Sequence, residues 1–568
     1  MITKKKGIFI FGILLLIISL PLIFGQEKEF DYVISNSEKW QDVYSTMIYS
    51  KYNNVEDDFL VSTPHGDIIL NNINRQNRIR VISSKSNPFV FNYQSTIKLK
   101  GFAEPSEIEV DNANLDLIEE LPDINNFIIV GDSYGFNSIA VAPYAIITNS
   151  WVFLSNKINI YEIDEILSRR NVDKIIIYGY VDKVVRDTIE KYNPEYIDNG
   201  DKFKDNIDIV KKYIKIRPAK QVAFTNGEFI EKELLNGNEP VLFTGKENVP
   251  EQIQEYLKSS DIEVGVLVGN DLVSAATNIK RSTGVNVMVK FARGARSQTS
   301  GVALIEGLDL FPLPTPILTI SIHSIKYNRA SGLLEVTYKS DSNAPGYLKG
   351  TFTIISDGQS IRVGDIEPIF ISPGDFKTIM YSINLSSIEN LEADIYVIFG
   401  ETVLSLDRVL RGRVNVSVIN VIDACKFTKE DIKSIKYNKQ KKSFVIKIKN
   451  SNPIDCWIDI ELNDIWIGYI QNTLSTSNSI LIKSGKTKEI IIEEELDSDD
   501  LEKNSLLKMT LFSGEREDSL VNRLIIDKIK LSIVALSLIT YVIIGLVVVI
   551  VLLIVIILII KKRNDNED

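Results

Sequence analysis

Between residues 30 and 311 the apolar positions gather into short, near-continuous runs separated by stretches of helical spacing, and the arrangement recurs three times at an offset near 95 residues. The opening runs are Tyr32–Ile34, Phe127–Val130 and Val222–Phe224. The second runs, Phe59–Val61, Trp151–Leu154 and Val241–Phe243, each close on a small hydroxyl residue, Ser62, Ser155 or Thr244. The third are Ile79–Ile82, Lys174–Gly179 and Val264–Gly269. A strand that is apolar along its whole length belongs in a parallel sheet covered on both faces by helices. The pattern therefore predicts three α/β, parallel-sheet, Rossmann-like repeats, at 26–120, 121–215 and 216–311.

Beyond the linker Phe311–Pro316, whose three prolines stop both helices and central strands, the period changes to two. Ser324-Ile325-Lys326-Tyr327-Asn328 recurs as Ser434-Ile435-Lys436-Tyr437-Asn438, an offset of 110. At the same offset Leu334, Val336 and Tyr338 match Phe444, Ile446 and Ile448, alternating positions that form one buried strand face. The turn Ser372-Pro373-Gly374 is echoed by Ser484-Gly485. Two β-sandwich domains are predicted, at 317–420 and 421–530, similar to immunoglobulin-like modules and arranged as a stalk.

The ends differ from everything between them. Lys4, Lys5 and Lys6 precede an apolar stretch from Ile8 to Phe24, which reads as a secretory signal peptide over residues 1–25, the alternative being an uncleaved anchor. Residues 531–560 carry no charge and predict one C-terminal transmembrane helix, with Lys561, Lys562 and Arg563 holding the 561–568 tail in the cytoplasm. The expected product is a single-pass cell-surface protein with a large exterior part.

Charge and composition narrow the chemistry. Subtracting the leader's three lysines and a tail that nets zero from the overall −11 leaves about −14 on the exterior. That balance disfavours nucleic acid as a partner. Only His65 and His323 are present, which removes most hydrolase triads and zinc sites. The only cysteines, Cys425 and Cys456, face an oxidising exterior where a bridge persists, the alternative being two buried thiols.

One segment carries a resemblance. Ile129-Val130-Gly131-Asp132-Ser133-Tyr134-Gly135, continued through Phe136–Pro143, resembles the run that opens the cell-wall-binding repeats found in threes on clostridial surface proteins. Ser37, Trp40, Asp42, Val43 and Tyr44 fit a run that is similar to the first unit of archaeal surface-layer-like proteins. The resemblance implies a triple α/β head. It also implies a polymer ligand, which the acidic exterior and the chain's own span disfavour.

Candidate sites are few. Gly131-Asp132-Ser133 ends a strand as an esterase nucleophile does, but neither histidine has an aspartate three positions earlier, so a polar turn is expected. Phe291–Arg296 is Gly-rich without the Lys-Ser/Thr of a phosphate loop and reads as a surface loop. Glu493, Glu494, Glu495, Asp497, Asp499 and Asp500 form the densest acidic run, a candidate for Ca²⁺ as a structural ion against the plainer reading of a solvated loop. Asn384 and Asn415 begin glycosylation sequons. No enzyme activity and no other cofactor is expected. The expected function is a membrane-anchored surface-layer protein whose heads meet lateral copies of themselves, the alternative being an adhesin or receptor for a glycan or partner cell.

Overall fold

A computed structural model describes residues 29–291, 294–299, 302–356, 359–385, 388–468, 470–476 and 478–534. The candidate leader, residues 535–560 of the candidate span and the tail lie outside the described residues. Among the described residues no helix is long and apolar enough to cross a membrane. Leu531–Val534 were expected to open the span; instead Ser532–Val534 is a strand paired with the second sandwich.

Each of the three repeats is a four-stranded parallel sheet in the spatial order second, first, third, fourth. The first unit orders Glu56–Phe59, Tyr32–Asn36, Ile79–Ser84 and Ser106–Val110. The second orders Ser150–Ser155, Asn126–Gly131, Lys174–Tyr178 and Glu195–Ile197, and the third Val241–Phe243, Gln221–Thr225, Val264–Val268 and Asn286–Lys290. The fourth strand of each sheet escaped the apolar pattern because it is a half-exposed edge. The second strand of the first unit lies earlier than its apolar run, on the acidic residues of Glu56–Phe59, since an edge tolerates charge that a central strand does not. The expected loop Phe291–Arg296 runs into a hairpin of Gly294–Thr299 and Val302–Gly307.

The units are not separate beads. The helices after the opening strands, Trp40–Tyr52 and Phe136–Ile147, pack on one another and on the short turn Lys232–Leu235 that replaces the helix in the third unit. One cluster of buried apolar residues runs through all three, from Phe30 to Leu313. Tyr44 crosses the first seam to donate to the Ser138 carbonyl at 2.9 Å.

A repeated polar contact closes two of the seams. Asn114, in the helix Ala113–Asp116 that ends the first unit, donates to the Val152 carbonyl at 2.8 Å and accepts from the Leu154 N–H at 2.9 Å. Asn206, in the helix Lys202–Ile216 that ends the second unit, donates to Val241 and accepts from Phe243, both at 2.8 Å. Each side-chain amide thus pairs with the outer edge of the next unit's second strand as a neighbouring strand would. At the third seam the first unit's own residues serve: the Phe59 N–H donates to the Asp58 carboxylate at 3.1 Å and the Phe311 ring packs on Phe59.

The two sandwiches repeat one design. In the first, Phe376–Ser382, Leu333–Ser340, Ile320–Asn328 and Ser417–Ile419 face a sheet of Gln359–Gly364, Gly346–Ser356, Glu392–Gly400 and Arg408–Asn415, with Ile369–Ile371 beside Gly346–Ser356. The second matches it strand for strand, and the predicted face residues Leu334, Val336, Tyr338, Phe444, Ile446 and Ile448 are all fully buried. Gly374 and Gly485 take the left-handed conformation in the two echoed turns. Cys425 and Cys456 are bonded, closing a loop of 31 residues at the base of the second core, a constraint that contributes about 3 to 4 kcal/mol in the chain-entropy picture.

The sandwiches do not stand as a stalk beneath a separate head. Lys183 of the second α/β unit pairs with Asp497 of the second sandwich, and Lys202 reaches Glu401 of the first at 3.0 Å. Side contacts also join the sandwiches to each other, including His323 to Asp518 at 3.0 Å and Arg516 to Glu335 at 3.0 Å.

If the asparagine amides supply the missing strand partners, Asn114→Ala and Asn206→Ala each orphan one buried carbonyl and one buried N–H. Each substitution is expected to destabilise the head by about 2 to 5 kcal/mol, whereas alanine at exposed Asn71 changes little; urea unfolding of the three variants checks this.

Candidate functional site at strand ends and domain junctions

In parallel α/β sheets ligands settle outside the carboxyl ends of the strands, where strand order reverses. Three such crevices exist here, and each is occupied from within. In the first unit Asn36 fills it, donating to Ser83 Oγ at 2.8 Å and to the Val90 carbonyl at 2.7 Å. In the second, the Tyr180 backbone closes on the strand end, its carbonyl 3.2 Å from where a Cβ on Gly131 would stand, and Lys183 beyond it is held by Asp497. In the third, the loop 402–407 of the first sandwich presses on the strand end: a Cβ at Gly245 would collide with the Asp407 carbonyl.

That third contact is a built junction. Asp201 caps the helix Lys202–Ile216 through the Phe203 and Lys204 N–H groups, and its other oxygen accepts from Ser405 Oγ at 3.0 Å. Burial pulls the Lys202 ammonium down, but Asp407 and Glu401 outweigh it and keep the lysine firmly charged. The cavity left beside it is about 210 Å³ and is lined by Phe136, Asn226, Lys246 and Arg408.

A second groove, about 260 Å³, lies between the first and second units and is lined by Lys39, Asp42, Asp111, Asp132, Asn156 and Asn159. Its amides are mostly spent on the loop itself: Asn156 donates to Asp132 at 2.5 Å, and Asn159 accepts from the Asn156 N–H at 2.8 Å. Asp42 is buried, which lifts its carboxyl above the usual range despite bonds from Ala113 and Ser37. The groove offers polar contacts to a ligand but no nucleophile set against a base.

The densest buried charge lies between the sandwiches. Lys377 of the first is fully enclosed, with Nζ 2.6 Å from Glu461 Oε1 and 3.4 Å from Asp459 Oδ2 of the second, and 3.7 Å from the centre of the Phe512 ring. Asp375 faces the same group. Desolvation, then the neighbouring Asp459 charge, pushes the Asp375 carboxyl up to about 8, so it holds a proton at neutral pH. One ammonium thus meets two carboxylates and one carboxylic acid, a balance that lowers the cost of burying the cluster.

The residues singled out in the sequence fall in separate places. Of the acidic run, Asp497 and Asp500 form the capping box of the helix Ser498–Lys503, Asp497 also holds Lys183, and Glu495 pairs with Lys442 at 2.5 Å. Asp500 is buried and accepts the Gly468 N–H at 2.8 Å, while Glu493 and Asp499 face outward. The six carboxylates do not converge as Ca²⁺ ligands, because helix capping and lysine pairing draw them apart. Among the described residues no three His, Cys, Asp or Glu side chains converge on a metal position. Asn384 and Asn415 are both exposed on the first sandwich. His65 starts the helix His65–Leu70, buried, and its Nδ1 accepts the Val61 N–H at 3.3 Å. His323 is half exposed on its strand and bonded to Asp518. Sequence reading missed Asn114 and Asn206, although their spacing of 92 residues lies close to the repeat period, and it missed the Lys377 cluster, whose partners lie more than 80 residues away.

No protein-family model matches this chain, and no curated protein matches it. Among solved structures it is similar to Cwp6 from Clostridium difficile, at 12% identity and a TM-score of 0.37, over 45% of this chain and 44% of that one. It therefore spans less than half the length of the protein it matches. It is also similar to the ligand binding region of serine-glutamate repeat protein A of Enterococcus faecium, at 18% identity and a TM-score of 0.14 over 19% of this chain and 94% of that one. A third similarity is to a beta-glucosidase from Listeria innocua, at 12% identity and a TM-score of 0.15 over 54% of this chain and 49% of that one. Likenesses this slight leave the function to the geometry.

The junction has a signed pH dependence. Asp375 holds its proton up to about 8 in the fold but only to about 4 in the unfolded chain, so the fold binds more protons between those values. Stability is therefore expected to fall as pH rises from 4 to 8 and to level off above that. Asp58 and Asp205, raised to about 6 and about 7 by burial, act in the same direction elsewhere. Asp375→Asn should flatten the slope without abolishing it; urea midpoints at pH 5, 6.5 and 8 for both proteins measure the difference.

Proposed function

We propose that this chain is a membrane-anchored structural protein of the cell envelope, exposing a triple α/β head and two sandwiches on the exterior and meeting lateral copies of itself. The observation that carries the reading is at the end of the fold. The last strand, Ser532–Val534, closes the second sandwich, and the next residues, Ala535 to Ile560, are 26 in a row without charge. At 1.5 Å per residue a helix of that length suffices for a hydrocarbon core of about 30 Å.

Three further features support an exterior location: the leader-like residues 1–25, the bonded pair Cys425–Cys456, and two sequons that both stand exposed on the first sandwich. A structural role accords with strand-end crevices filled by the protein's own side chains and with two histidines engaged in local contacts.

An adhesin is the second reading, and one observation favours it. Tyr134, Tyr161, Tyr180 and Tyr196 are all exposed and all lie in the second unit, and exposed tyrosine rings suit contact with sugar rings.

The test is made on intact cells and isolated envelope. Protease added outside should cut within 29–534 and spare the tail, and the chain should rank among the most abundant envelope proteins. Cleavage of the tail in sealed cells overturns the orientation; correct orientation at low copy number favours the adhesin over the coat.

A further inference from the structure

We propose that the turn Lys439-Gln440-Lys441-Lys442 of the second sandwich is a docking surface for phosphate-bearing lipid headgroups, which seats the exterior part directly on its bilayer. The proposal rests on the reading of residues 535–560 as a span. Its own evidence is the register at the chain's exit. Ser532, Ile533 and Val534 pair in parallel with Lys436, Tyr437 and Asn438, and the Lys439 N–H donates to the Val534 carbonyl at 3.1 Å. The last described strand therefore ends at this turn, and the uncharged run that opens at Leu531 continues from the next residue with no linker between them.

The charge at that point is available. Lys439 and Lys441 are exposed and carry no ion pair among the described residues, while Lys442 is paired with Glu495 at 2.5 Å. Of the acidic residues at the same end, Glu495 is neutralised by this pairing, burial lifts the Glu494 carboxyl above the usual range, and Glu493 is exposed opposite Ser443. Lys439 and Lys441 are thus the exposed cations at this end, with Glu493 exposed and Glu494 half-buried at the end of the neighbouring strand.

The first sandwich supplies an internal comparison. Its last strand makes the same parallel pairing, Ser417 to Lys326, Val418 to Tyr327 and Ile419 to Asn328, and the Arg329 N–H donates to the Ile419 carbonyl at 2.8 Å. The five-residue word before the turn is identical in the two domains, Ser-Ile-Lys-Tyr-Asn. The turns themselves differ: Arg329-Ala330-Ser331-Gly332 where the chain passes to another sandwich, and Lys439-Gln440-Lys441-Lys442 where it passes to the apolar run. The same fold position gains lysines only at the exit that leads to the apolar run, where cations beside a span meet lipid phosphates.

The experiment uses the full chain in nanodiscs of neutral phosphatidylcholine or of phosphatidylcholine with phosphatidylglycerol. Lysines are acetylated briefly and read by mass spectrometry, with Lys429, which precedes the opposite end of the same strand, as the reference. Lys439 and Lys441 should react roughly fivefold slower than the reference in the anionic discs, the factor equivalent to about 1 kcal/mol per lysine near an anionic surface, and high salt should remove the difference. Equal reactivity in both lipids, or protection that salt leaves unchanged, overturns headgroup docking while the span reading stands. A chain that alkaline carbonate strips from membranes overturns the span reading, and the docking falls with it.

Discussion

A parallel sheet of four short strands leaves the outer backbone groups of its edge strands without partners, and a unit of about 95 residues has little spare chain to cover them. In this head the preceding unit provides the cover. Asn114 and Asn206 present one donor and one acceptor on a planar amide, and this matches the carbonyl and N–H that an extended edge offers two residues apart. The helices that carry them must cross the seam to do so, and their apolar faces then join the neighbour's core. The continuous cluster from Phe30 to Leu313 is the result. The first unit has no described unit before it, and its edge strand is correspondingly acidic, with Asp58 turned back on its own backbone.

The domain junctions obey a different logic. Lys202 and Lys377 are enclosed between domains and held by two carboxylates each, contacts in which removing one partner strands the other charge. Such pairs add little net stability over an apolar interface, but they tolerate few alternative orientations. They explain how the described chain keeps its two sandwiches against its head. The protonated Asp375 shows the limit of that device: a third carboxylate fits only as an acid.

Much of the architecture was legible in the chain because it is repeated. The three opening strands and the offset of 110 between the sandwiches each stand on local spacing, and the alternating residues Leu334, Val336 and Tyr338 point inward as their period requires. The fourth strands were not legible, since half-exposed edges such as Asn286–Lys290 lack an apolar run. Nor was the docking of the sandwiches, because the partners of Lys183 and Lys202 lie 314 and 199 residues away and nothing local marks them. The acidic run, a candidate cation site set against the plainer reading of a solvated loop, is divided in the fold: helix capping and a distant lysine account for the carboxylates Asp497 and Asp500. The end of the second sandwich was placed too early because Leu531–Val534 are apolar enough for either a strand or a span, and only the pairing with Lys436–Asn438 decides between them.

If amide-bearing helices bind the three units into one cooperative body, the units must open together. Native-state hydrogen exchange of the full chain tests this most directly, read at the Leu154 and Phe243 N–H groups that the clamps hold and at the Val33 N–H in the first unit's central strand. One opening free energy is expected for all three, falling together as denaturant is added. Three distinct thresholds, with Leu154 or Phe243 exchanging while the Val33 strand stays closed, would contradict it.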